Sequence, residues 1–171
     1  RALRHPRSLG LVFAHLAWLL AVAIAGGATL MRELGDETRL ADGWILPAML
    51  APLALLFVLA WKRPAVAGWP VADQFPRWRP AWLAIAGVGL GLGWLFGSFL
   101  PGDSAPLPWL PLLNPLELWL LLHLVLAAGW LRSRGEPHRL GWLAWAGAAL
   151  FMLSMGVLRA CHQMGDLPWS P

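Results

Sequence analysis

Apolar residues gather along the chain in five runs, Leu9 to Met31, Trp44 to Trp61, Ala81 to Leu100, Leu116 to Leu131 and Leu140 to Leu158, with polar residues collected between them. A hydrocarbon layer about 30 Å thick takes roughly 17 to 25 helical residues at about 1.5 Å each. The first, second, third and fifth runs meet that length, and the fourth is short. It is preceded by an apolar stretch broken by proline, Pro106 to Leu113, which is expected to lie at the interface or dip into it rather than run as helix. The pattern predicts an all-α, polytopic transmembrane helical bundle of five spans, about 9-31, 44-61, 81-100, 116-131 and 140-158, in a single domain covering residues 1–171.

The polar segments set a direction. Alternate segments, beginning with the one that precedes the first span, hold ten Lys and Arg residues, and the other set holds three. Cytoplasmic loops carry the excess of positive charge, so the N-terminus is expected inside and the C-terminus outside. These loops also account for the net charge of +4, which is therefore no sign of nucleic-acid binding.

Composition narrows the class. The chain of 171 residues is 58% hydrophobic, with 13% charged residues against the roughly 25% usual in globular proteins. A soluble enzyme or nucleic-acid module is disfavoured on that ground. The single cysteine, Cys161, excludes a disulfide scaffold, and the apolar content excludes a disordered chain. The chain begins at Arg1 rather than Met and stops at Pro171 without a charged tail, which reads as a piece of a longer protein. A cleaved signal peptide over Arg1 to Ala28 is the competing reading of the first run, but its apolar stretch exceeds the usual length of about 7 to 15 residues.

Thirteen Trp with no Tyr is the oddest number in the composition. Trp44, Trp109, Trp119 and Trp169 fall near the outer boundary; Trp61, Trp69, Trp78, Trp82, Trp130, Trp142 and Trp145 fall near the inner one. That distribution predicts two aromatic belts, with only Trp18 and Trp94 deeper. The glycines of the third span superficially suggest a dinucleotide loop, but no strand precedes them and no βαβ unit can be built around them. Gly89, Gly93 and Gly97 share a helix face and predict close helix packing, and Ala17, Ala21 and Ala25 predict the same for the first span.

Ionisable groups inside a membrane are costly, so each is a candidate for function. His15, Glu117 and His123 lie within apolar runs, while Asn114, Arg159 and His162 lie at their ends. Asn114, Pro115 and Glu117 form a helix-capping arrangement, with the Glu near the positive end of the helix dipole. The topology also places Glu117 and Arg159 at one membrane level. If the last two spans pack as a hairpin, Asn114, Glu117, Arg159 and His162 converge into an outer-face polar cluster, either a structural ion-pair network or a site for a headgroup, sugar or ion. His15 and His123 fall at similar depth, the minimum requirement for two axial haem ligands, but neither carries a surrounding motif. No metal-ligand spacing surrounds Cys161, and no catalytic motif occurs, so neither metal nor cofactor is predicted.

Two stretches carry a family resemblance: Leu110 to Glu117, which reads LPLLNPLE, and Gly156 to His162, which reads GVLRACH and runs on to Leu167-Pro168-Trp169. Together they resemble an uncharacterised bacterial family of large predicted multi-pass membrane proteins, a domain of unknown function, of which this chain is similar to a piece toward the C-terminal part. The resemblance covers about three quarters of the chain, with Asn114, Glu117, Arg159, His162, Pro168 and Trp169 as the matching positions. One departure is Gln163, where the family often has a second His. The resemblance implies an inner-membrane protein and supplies no reaction.

These readings make the chain a scaffold or transport-type unit with an outer-facing polar cluster, more readily than an enzyme. The alternative is a membrane enzyme that modifies a lipid-linked or sugar envelope substrate, and further behind stands a b-type haem electron-transfer unit. Expected partners are membrane lipids and other helices of the same longer chain.

Overall fold

The computed structural model describes residues 6–38, 41–133, 139–165 and 167–169, and side chains are described from residue 9 to 34 and from 41 onward within those ranges. Arg1, Arg4, Arg39 and Arg134, all part of the charge pattern, lie outside the described residues. What is described is all-helical, without strands among the described residues. The helices are α1 (Pro6–Thr38), α2 (Asp42–Lys62), a single turn α3 (Pro64–Ala67), α4 (Arg79–Ser98), α5 (Pro115–Ser133) and α6 (Arg139–Gly165), with a 3-10 turn at Phe75–Arg77. All but α3 are long and apolar enough to cross a membrane.

The helix ends follow from local chemistry. Asp42 in the first turn of α2 and Lys62 in its last complement the helix dipole. Helix α4 stops at Ser98, two residues before the apolar run does, because Pro101 and Gly102 follow and its final turn tightens to bonds from Phe99 and Leu100 back to Phe96 and Gly97. Helix α6 instead outruns its apolar stretch by seven residues, through Arg159 to Gly165, since no breaker intervenes and Arg159 finds buried partners. The stretch from Pro106 to Leu113 is not helical, with turns at its two ends and irregular backbone between them, as its prolines favour.

The described chain divides into two compact units. The first holds residues 1–33 and 48–90. Its buried positions on α4 are Trp82, Leu83, Ala86 and Leu90, one helical face. Helix α1 packs through His15, Leu19, Ala23 and Gly27, and an added Cβ at Gly27 would collide with the Met49 backbone. Ala17, Ala21 and Ala25 are exposed, so the alanine stripe expected to pack lies about half a turn from the face that does. The buried face is the one that places the polar His15 against partners, and lipid cannot offer that.

The second unit holds residues 34–47 and 91–171. Helices α5 and α6 lie together here, burying Leu116, Leu120 and Leu124 on one and Met152, Met155 and Arg159 on the other. The start of α2 and the residue before it meet the loop after α4 through Ala41 N–H to Ala105 O, 3.2 Å, and Gly43 N–H to Asp103 O, 3.0 Å. In both units the outward side chains are mostly apolar, Phe13, Ile24, Val88, Leu121, Leu150 and Val157 among them. Such a surface is a liability in water and fits a lipid-facing one.

Candidate functional site

A helix leaves its last carbonyls without partners, and in an apolar medium each unpaired group costs several kcal/mol. The end of α4 has this problem and no Lys, Arg or His in its own last turn to solve it. Arg159, from α6, supplies the donors. Its Nε–H donates to Leu100 O at 3.0 Å and its Nη2 to Ser98 O at 2.8 Å and Gly97 O at 3.5 Å. Nη1 points the other way and meets Glu117 Oε1 at 3.4 Å. The guanidinium thus sits at the negative end of one helix dipole and the carboxylate at the positive end of another.

Glu117 is the third residue of α5, and its own N–H donates to Asn114 Oδ1 at 3.0 Å, so Asn114 caps the helix as expected. The reciprocal half of a capping box does not form. Glu117 Oε2 instead accepts the N–H of Leu112, a residue in the left-handed region at φ 64°. That conformation costs a non-glycine residue about 1–2 kcal/mol, and the carboxylate bond holds it in place. Gly102 completes the turn at φ 72°, where an added Cβ would lie 3.1 Å from Leu116 Cδ2 and 3.4 Å from Arg159 Cδ. Arg159 is 0% exposed and Glu117 1%, so this is a closed knot rather than a cleft.

His162 does not join the knot. Its Nδ1–H donates to Leu167 O and its ring lies 5.6 Å from that of Trp169, whose Nε1–H donates to Phe99 O at 3.0 Å. The structure therefore brings together Asn114, Glu117 and Arg159, and ties His162 into a separate clasp that runs back to the end of α4. Cys161 beside it is exposed and free. Among the described residues, no three His, Cys, Asp or Glu side chains gather as a metal site would need.

The two deep histidines have opposite hydrogen-bonding states. His123 Nδ1–H donates to Trp119 O at 2.8 Å, which leaves Nε2 as a bare, unpartnered acceptor, the state a metal-bound imidazole adopts. His15 Nδ1 instead accepts from Trp78 Nε1–H at 3.0 Å, so its proton resides on Nε2, the nitrogen an axial ligand would use. His15 as placed does not fit haem ligation.

Some of the tryptophans also do more than line a boundary. Trp44, Trp109 and Trp145 donate to the carbonyls of Ser104, Gly102 and Leu124, and Trp82 is wholly buried. The partners of Arg159 on α4 were missed by sequence reasoning because backbone carbonyls have no residue signature. The usable signal was a helix ending before Pro101-Gly102 with no cation of its own. Arg79 repeats the device in the first unit, donating to Ala60 O at 2.7 Å and Trp61 O at 2.8 Å at the end of α2.

Among the described residues, an all-helical fold with five membrane-length helices fits a multi-pass membrane protein. Beyond that class, no family model, characterised protein or solved structure matches the chain.

Proposed function

We propose that the chain is a scaffold or transport-type unit of a larger multi-pass protein in a bacterial inner membrane, with its N-terminus in the cytoplasm and its C-terminus outside. In this reading the Asn114–Glu117–Arg159 cluster holds helix ends together and does not act on a substrate. One observation carries it: the guanidinium and carboxylate are closed off from solvent, and both carboxylate oxygens are engaged within the chain. An enzyme that modifies a lipid-linked or sugar substrate would need an acid or cation with a free face at this place. The charge pattern supports the orientation, and the resemblance of residues 110–117 and 156–162 supports the bacterial setting. Partners are the surrounding lipids and further helices of the longer chain.

Two measurements test the reading. Glu117→Gln and Arg159→Gln are each expected to lower the amount of folded protein that accumulates in membranes. If both accumulate and unfold as the wild type does, the structural role is wrong. Orientation is tested separately, since Cys161 is the only cysteine and is exposed. A membrane-impermeant thiol reagent is expected to label it in intact spheroplasts, and labelling only after lysis would reverse the topology.

A further inference from the structure

The segment between α2 and α4 carries a polar surface that the Arg159 knot does not involve. Because Arg79 bonds the last carbonyls of α2, the start of α4 is drawn to the level at which α2 ends. Lys62 and Arg63 stand at that end, and Arg77 stands two residues before Arg79, so three cations share the level. All three side chains are exposed, without a hydrogen bond or ion pair to any described residue. The Lys62 ammonium lies 3.7 Å above the Trp61 ring. Asp73 is the single acid between Lys62 and Arg79, which leaves the surface net positive.

This surface is built rather than loose. Gly68 N–H donates to Pro64 O at 2.8 Å, and a Cβ on Gly68 would come within 2.8 Å of Phe75 Cβ, so α3 and the 3-10 turn press together. Phe75 and Trp78 close over His15 of α1, and Trp69 lies 5.9 Å from Trp18. Beside the cations the segment exposes two large apolar side chains, Val66 at 59% and Trp69 at 64%. Cations bordered by an exposed indole and an aliphatic side chain, at the end of membrane-length helices, complement one chemistry. Phosphate groups meet the cations, and the boundary between headgroup and acyl chain meets the indole and the valine.

We propose that residues 62–77 form a seat for anionic phospholipid headgroups, held by Lys62, Arg63 and Arg77 with Val66 and Trp69 inserted beside them. This rests on the reading that the helices cross a membrane. The full chain is reconstituted in vesicles of equal phosphatidylcholine and phosphatidylglycerol, extracted again, and the ratio of retained lipids measured. The wild type is expected to retain phosphatidylglycerol preferentially, and to lose the preference in high salt. K62Q/R63Q/R77Q is expected to lower the preference about five-fold per charge removed, with its helical circular dichroism unchanged. Val66→Ser with Trp69→Ser is expected to lower total retained lipid and keep the ratio. If the triple variant does not accumulate, Arg63→Gln and Arg77→Gln singly are each expected to lower the ratio about five-fold. An even ratio in the wild type, an unchanged ratio in the charge variants, or displacement of the lipid by inorganic phosphate at an ionic strength where sodium chloride leaves it bound would overturn the proposal. Release of the chain from vesicles by alkaline carbonate would instead overturn the membrane reading on which it rests.

Discussion

Removing Arg159 and removing Glu117 should not cost the same, although the two form an ion pair. Breaking one side of a buried pair typically costs about 3–5 kcal/mol, because the remaining charge is left without a partner in a medium of low polarity. For Arg159→Gln the full range is expected: Glu117 keeps only the Leu112 N–H, and the carbonyls of Gly97, Ser98 and Leu100 lose their charged donor together. For Glu117→Gln the guanidinium retains its two shortest contacts, 2.8 Å to Ser98 O and 3.0 Å to Leu100 O, while the bond it loses is the longer one at 3.4 Å. The glutamine amide also keeps an oxygen for Leu112. A loss of about 1.5–3 kcal/mol is expected there, the scale of one charge-assisted hydrogen bond. The assay is reversible denaturant unfolding in detergent micelles, followed by helical circular dichroism, on both single variants and the double. The double variant should cost no more than Arg159→Gln alone, because the carboxylate is then no longer stranded. Should Glu117→Gln destabilise as much as Arg159→Gln, the guanidinium is held by the carboxylate rather than by the end of α4, and the reasoning fails.

Three further outcomes are expected. Gly102→Ala should lower stability by about 1–2 kcal/mol in the same unfolding assay, since it meets both the left-handed backbone and Leu116, whereas Gly147→Ala, with open space around it, should not. Trp78→Phe removes the donor to His15 Nδ1 and should cost about 1–3 kcal/mol. An equal loss in a His15→Leu background would mean that the hydrogen bond contributes nothing. Gly27→Val should reduce accumulation of the folded chain by clashing with the Met49 backbone, while Ala25→Val, on an exposed face of α1, should leave it unchanged; the opposite order would place the packing face of α1 on the alanine stripe.

What the sequence made legible was whatever depends on apolar run length and on residue type. The five runs reappear as five membrane-length helices, and Asn114 caps α5 as its identity suggested. Glu117 and Arg159 were placed at one level by counting spans alone, and they meet. Helix ends were harder, because α6 continues past Arg159 when the charge is neutralised by groups far away in sequence. The packing face of α1 was misplaced for a related reason. Small residues permit close approach on any face they occupy, and the choice between faces went to the one carrying His15, whose need for a polar partner is met by Trp78. His162 sits next in sequence to the cluster region but turns to a nearer carbonyl, that of Leu167, and local competition of this kind leaves no mark on residue spacing.

The arginine caps also bear on how the chain is made. The end of α2 is completed by Arg79, which follows it closely, so that pair of helices can settle almost as it emerges. The end of α4 waits for Arg159, 59 residues after Leu100. Until α6 arrives, α4 has carbonyls at its end with no donor from the finished fold, and α5 carries a carboxylate with no counter-charge. Helices α4 and α5 are thus provisional, and it is the arrival of α6 that locks them.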